Sequence, residues 1–234
     1  MSRLDAMSWP GVRRSSESGG ILLVPLGSTE QHGPHLPVTT DTDIAMAIAA
    51  GASDRDPSLV VAPAMAYGSS GEHQGFAGTV SIGQEATELA LVELGRSASI
   101  AFGHVIVISA HGGNAAPVAR ATRRLAGEGR SVTAWFPRWE GDLHAGRTET
   151  SLMLAIDPAR VGLEDAEAGD IRPLAELYPL VRRDGVLAVS PNGVLGDPAG
   201  AGAEEGRRLL DDAIADLVGL AERLRHVATM EVIR

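Results

Sequence analysis

Apolar residues along this chain fall in short unbroken runs separated by polar, glycine-bearing stretches. Such runs predict strands buried on both faces, as in a parallel sheet. The clearest is the β-branched series at 105–110, and the run from Ile21 to Leu26 is a second. Shorter runs predict strands at 59–62 and 132–136, and a last one at 186–189. Between them, spaced apolar positions predict helices at 43–53, 84–101 and 115–126. Another begins near Glu149 and stops before Asp157-Pro158, and a long amphipathic one covers 204–227. For the helix at 84–101 the expected buried face is Leu89, Val92, Leu94 and Ile100. Residues 1–20 read as a lead-in helix or arm, and 159–185 carry no clear period. Strands alternating with helices imply one α/β domain over 1–234, a mostly parallel sheet between two helical layers.

Composition narrows the class. Hydrophobic residues make up 44% of 234, enough for a sizeable core, while aromatics are only 3%, leaving Val, Leu, Ile and Ala to fill it. The net charge of −10 argues against nucleic acid or an anionic membrane as partner. With no cysteine, disulfides and thiolate chemistry are excluded. The N-terminus lacks an apolar signal core and no run approaches membrane-spanning length, so a soluble cytoplasmic protein is expected.

The chemistry concentrates after the first strand. Glu30, His32, His35, Asp41 and Asp43 fall within fourteen positions, with Gly33, Pro34 and Pro37 ruling out a helix between the two pairs. Glu30 and His32 stand two apart, so on an extended backbone they point to one side. Carboxylates and imidazoles so crowded repel or desolvate one another unless a cation neutralises them, which points to a metal site; a polar surface loop has the same composition. What separates the two readings is convergence. Ligands of an open parallel sheet bind outside the carboxyl ends of its strands. After the second predicted strand comes a loop with Tyr67, Glu72, His73 and Phe76, after the third His111-Gly-Gly-Asn114, and after the fourth His144 and Glu149. Parallel strands would bring all of them to one rim. Asp41 or Asp43 could also cap the following helix.

Three ordered motifs carry a resemblance. Gly-Ser-Thr-Glu30-Gln-His32-Gly-Pro-His-Leu-Pro with Thr-Asp41-Thr-Asp, then His111-Gly-Gly-Asn114, then His144-Ala-Gly-Arg-Thr-Glu149, resemble the creatininase (creatinine amidohydrolase) family over about 20–225. The resemblance implies that family's α/β/α fold and hydrolysis of C–N bonds with two divalent metal ions, Zn²⁺ with Fe²⁺ or Mn²⁺ as alternatives. Carried over by position, Glu30 and His111 would hold one ion, His32 the other, with Asp41 bridging. Creatininase has a His-x-Glu ligand pair where this chain has His111-Gly112-Gly113, so Glu149 is the expected replacement; an acidic residue favouring a helix N-terminus is its alternative role. His144 resembles the family's active-site histidine, which would shuttle a proton to the leaving nitrogen, with Glu149 beside it. Tyr67, His73, Phe76 and Asn114 are expected at the substrate, His35 and Asp43 in supporting places. The loop at 66–79 and the tail at 190–198 look most like those of peptidase members, implying a modified peptide as substrate and a homo-oligomer, a hexamer-like ring of trimers. A small-molecule amidohydrolase, acting on a cyclic amide or a formamide, is the alternative; an inactive metal-binding scaffold is a third.

Overall fold

The computed structural model describes residues 1–139 and 141–232. Its centre is a five-stranded, wholly parallel sheet in the order β1-β3-β2-β4-β5. The strands are β1 (Ser2–Arg3), β2 (Ile21–Leu26), β3 (Leu59–Val61), β4 (His104–Ser109) and β5 (Val132–Trp135). Strand β2 lies in the middle, paired with β4 from Ile21↔His104 to Leu26↔Ser109 and with β3 on its other side. All six of its residues are buried, as a continuous apolar run requires.

Side chains alternate across the sheet and build two cores. Ile21, Leu23, Ile106 and Ile108 face a layer made by α2 (Thr40–Arg55), α5 (Arg147–Ile156) and α8 (Ala203–Val232). Leu22, Val24, Val105 and Val107 face α3 (Gly83–Ala98) and α4 (Ala115–Gly127), with Val12 of α1 (Trp9–Glu17) packed against them. The three-layer arrangement follows from that alternation. Each large side chain fully buried in these cores contributes about 1.5–3 kcal/mol of burial free energy. No helix among the described residues is long and apolar enough to cross a membrane.

Three expectations are corrected. Residues Val186–Val189 form α7, a single helical turn, because Gly185 (φ +81°) ends α6 (Leu174–Asp184) and the chain coils again at once. Helix α3 buries Thr87, Leu91, Val92 and Gly95, while Leu89 and Ile100 are exposed. The close approach of α4 sets that face: a Cβ on Gly95 would come 2.5 Å from a Leu125 methyl group. Neither Asp41 nor Asp43 caps α2. Thr39 occupies the cap position, and both aspartates lie in the first turn, where the helix dipole favours negative charge. The lead-in region is the edge strand β1 followed by α1.

Candidate metal centre and active site

Parallel strands deliver the polar segments to one end of the sheet. Glu30 and His32 follow β2, and His111 follows β4, its immediate neighbour. The loop after β3 bends inward through a 3-10 turn at Gly71–His73 and adds His73. The stretch after β5 supplies His144, and α5 supplies Glu149 from its first turn. Glu30, His32, Asp41, His73, His111 and His144 are all buried.

The donor atoms of the cluster converge at close range. His111 Nδ1 lies 3.2 Å from Glu30 Oε1 and 3.4 Å from Asp41 Oδ2. The other Asp41 oxygen lies 3.4 Å from His32 Nε2, which in turn is 3.9 Å from Glu149 Oε2. Asp41 therefore turns one oxygen to each group. Both Glu30 carboxylate oxygens, His32 Nε2 and Asp41 Oδ2 are buried without any hydrogen-bond partner. A buried charged oxygen left so costs several kcal/mol unless something neutralises it. Glu30, Asp41 and His111 offer donor atoms within 4.8 Å of one another, and so do His32, His144 and Glu149. This donor set fits divalent cations of intermediate softness.

Electrostatics agree with that fit. In the metal-free protein burial disfavours protonated histidine, yet the carboxylates of Asp41 and Glu30 outweigh it: His32 is pushed up to about 10 and His111 well above its usual value. Burial would raise Glu30, but the positive His111 beside it holds its carboxyl well below the usual range. Burial raises Glu149 to about 7.

The local scaffold is tight. Ala145 sits at φ +53°, uncommon for a residue with a side chain, and its N–H donates to Glu149 Oε2 at 2.6 Å. His144 is pinned by backbone bonds to Leu195 on the 190–198 tail. Thr150, Ser151, Leu152 and Met153 are buried in α5, which fixes where Glu149 points.

Other expected site residues fall differently. Asn114 is fully buried with its whole amide engaged: Oδ1 accepts from Ser69 N–H at 2.9 Å, and Nδ2 donates to Gly27 O and Ser109 Oγ. It was expected at the substrate, and its amide ties the three site-bearing segments together. His73 was expected on a substrate wall, but it lies inside the cluster, its Nε2 3.2 Å from Glu30 Oε1. Phe76 lines a cleft of about 490 Å³ beside Gln31 and Pro34. Tyr67 is half exposed. His35 bonds Thr150, while Asp43 accepts from Thr39 and pairs with Arg160 at 2.9 Å. Gly113 has an unforeseen reason. A Cβ there would lie 2.2 Å from Glu72 Oε1, so the loop carboxylate fills the room a side chain at 113 would need. Gln31 was also missed. It sits between two metal-facing residues, and its amide touches both His73 and His144.

The family model for creatininase, described as creatinine amidohydrolase, matches residues 5–221. The chain belongs to the creatininase family. It is accordingly a metal-dependent hydrolase of amide bonds. A relative from Mycobacterium ulcerans (strain Agy99), named mycofactocin precursor peptide peptidase, is 48% identical over 212 residues, covering 86% of this chain and 84% of its own. One of the same name from Mycolicibacterium smegmatis (strain ATCC 700084 / mc(2)155) is 48% identical over 213 residues, covering 88% and 85%. Among solved structures, a creatinine amidohydrolase superposes with a TM-score of 0.80 at 22% identity, covering 94% of this chain and 96% of that one. A variant creatininase described as Zn-Zn type superposes at 0.79 and 22%, covering 97% and 98%. These structures share the fold.

Proposed function

We propose that this protein is a peptidase acting on the modified precursor peptide of mycofactocin, releasing its C-terminal Val-Tyr dipeptide. The observation that carries the hydrolytic part is the pair of donor groups divided by Asp41, with orphaned buried atoms on Glu30, His32 and Asp41. The peptide part rests on likeness to the named mycobacterial peptidases.

Glu30, Asp41 and His111 would hold one ion, and His32, Asp41 and Glu149 the other, with Asp41 shared. Zinc suits this shell, and iron or manganese would also bind it. When bound, such ions supply Lewis acidity toward the scissile carbonyl and lower the pKa of water toward neutrality. The remaining work falls to the chain. His144 carries its N–H on the side facing Gln31 O, at 2.8 Å, and so turns the Nδ1 lone pair toward Glu30 and the cluster. That nitrogen takes the proton the attacking water loses and returns it to the leaving amine. The Ala145 N–H holds Glu149 in place for its ion.

A cleft of about 820 Å³ opens beside Gly113 and Glu72, walled by Tyr178 and Arg182 of α6. The Arg182 guanidinium lies 5.8 Å from the centre of the Tyr178 ring. Arg120 and Arg183 of the same cleft are paired with Glu88 and Asp184. Arg182 would receive the peptide's terminal carboxylate. The assembly we favour is a closed homo-oligomer, a ring of trimers.

The test is to incubate the metal-loaded protein with modified precursor peptide ending in Val-Tyr, with the same peptide as its C-terminal amide, and with creatinine. Release of the dipeptide, faster from the free acid, is expected. Creatinine turnover without peptide cleavage would overturn the reading.

A further inference from the structure

Four histidines surround the Glu30 carboxylate, and their outward-facing nitrogens have different partners. His32 Nδ1 is 3.0 Å from Glu30 O, His111 Nε2 is 2.8 Å from Ser69 O, and His144 Nε2 is 2.8 Å from Gln31 O. A backbone carbonyl only accepts, so each of these outer nitrogens carries a proton, which leaves the inner nitrogen to offer its lone pair when an ion is bound. His73 is the exception. Its outer nitrogen, Nδ1, meets the side-chain Nε2 of Gln31 at 2.9 Å.

The Gln31 amide cannot be turned around. Its Oε1 accepts from Gly33 N–H at 2.8 Å, and its Nε2 donates to Gly193 O at 3.0 Å. Two backbone groups of opposite kind thus fix which end is oxygen. Its room depends on a glycine: a Cβ on Gly193, itself at φ +80°, would lie 1.9 Å from Gln31 Oε1. The second Nε2 hydrogen is left for His73 Nδ1, which must accept it. The 3.1 Å approach of Gln31 Nε2 to His144 Nε2 sets two donors side by side, and the shorter bond to the carbonyl decides that histidine's proton.

We propose that Gln31 is a positioning residue that makes His73 the one histidine of the metal-loaded cluster to present an N–H inward. His73 Nε2–H faces Glu30 Oε1 at 3.2 Å without a hydrogen bond to it, and is not a metal ligand. The donor grouping of Glu30, His73 and His144 is therefore not an ion site, although its atoms lie close enough together. A bound ion pair would meet three histidine lone pairs and one donor, and a single glutamine separates the roles. The catalytic meaning of this rests on the amide-hydrolase reading above; the proton placement itself does not.

The test is nitrogen NMR on the full chain with ¹⁵N-histidine, first metal-free and then loaded with ¹¹³Cd²⁺. His73 is expected with Nε2 protonated and Nδ1 bare in both states. Scalar coupling to cadmium is expected at His32 Nε2 and His111 Nδ1 and none at His73. Coupling at His73 Nε2, or a proton on its Nδ1, would overturn the proposal. Gln31→Met should lower kcat on the peptide roughly 10–100-fold and distort its pH profile, with KM and metal content near wild type. Wild-type kcat in that variant would also count against the proposal. Should the variant fail to fold, the wild-type spectra still decide. Expected spectra from a chain that cleaves no peptide would refute the functional reading alone. Cleavage by a chain with metal-bound His73 would refute this one alone.

Discussion

The two ends of the sheet both gather charge, and they handle it in opposite ways. At the amino end, ahead of β3, Asp56 Oδ1 accepts from Ser58 N–H at 3.0 Å and from its hydroxyl at 2.6 Å, while Oδ2 pairs with Arg225 of α8 at 2.5 Å. Both carboxylate oxygens have protein partners. At the carboxyl end Glu30 and Asp41 are more deeply buried, yet three of their oxygens have no hydrogen-bond partner. Buried charge that the chain leaves uncompensated is meant for something else to compensate. The amino end is a clasp, and the carboxyl end is a socket.

The largest effect that separates them is on activity. Asp41→Ala should remove several kcal/mol of transition-state stabilisation, a fall in peptide kcat/KM of roughly 10³-fold or more. Arg225→Ala should leave cleavage unchanged. Next comes stability. Metal at 100 to 1,000 times its Kd adds about 2.7–4.1 kcal/mol, so chelation should lower Tm by roughly 2–4 °C for each kcal/mol lost, as calorimetry would show. Asp41→Ala should make Tm nearly indifferent to chelator.

Protons sharpen the contrast further. His32 and His111 are raised above neutral in the metal-free protein, so at pH 7 metal must displace a proton from each. Titration calorimetry in buffers of different ionisation enthalpy should show about two to three protons released per chain, two from the histidines and part of one from Glu149, and affinity should rise with pH until His32 loses its proton near 10. The smallest effect is at the clasp. Burial raises Asp56, but bonds from Arg225 and Ser58 outweigh it and hold it below its usual 3.8. A carboxylate with a lowered folded pKa stabilises above 3.8 and loses that contribution as pH falls through the folded value. For this partly exposed pair Arg225→Ala should cost about 1 kcal/mol or less in urea unfolding at neutral pH. The gap should close in acid.

Most of the architecture was legible because the sheet is buried on both faces, so Ile21 to Leu26 and the 105–110 series had to be unbroken apolar runs. Parallel pairing then brought Glu30, His32, His111, His144 and Glu149 to one rim. Failures came where local pattern does not decide. Four apolar residues at 186–189 fit a strand or a helical turn equally, and Gly185 settled the matter through its backbone. In α3 the leucines support more than one apolar face, and packing against Leu125 chose among them. His73 sits in an aperiodic glycine-rich loop, so nothing in its surroundings marked it as part of the cluster. Gln31 was hidden by its neighbours: on an extended backbone it should point away from Glu30 and His32. The turn at Gly33, φ +66°, helps bring its amide back, and only tertiary contacts with Gly193 and His73 give that amide a role.

The central claim is that Asp41 divides two ion sites. Anomalous X-ray diffraction at the metal edge, on crystals of the zinc-loaded protein, tests it most directly. Two peaks are expected, one among Glu30, Asp41 and His111 and one among His32, Asp41 and Glu149. A single peak, or a peak among Glu30, His73 and His144, would contradict it.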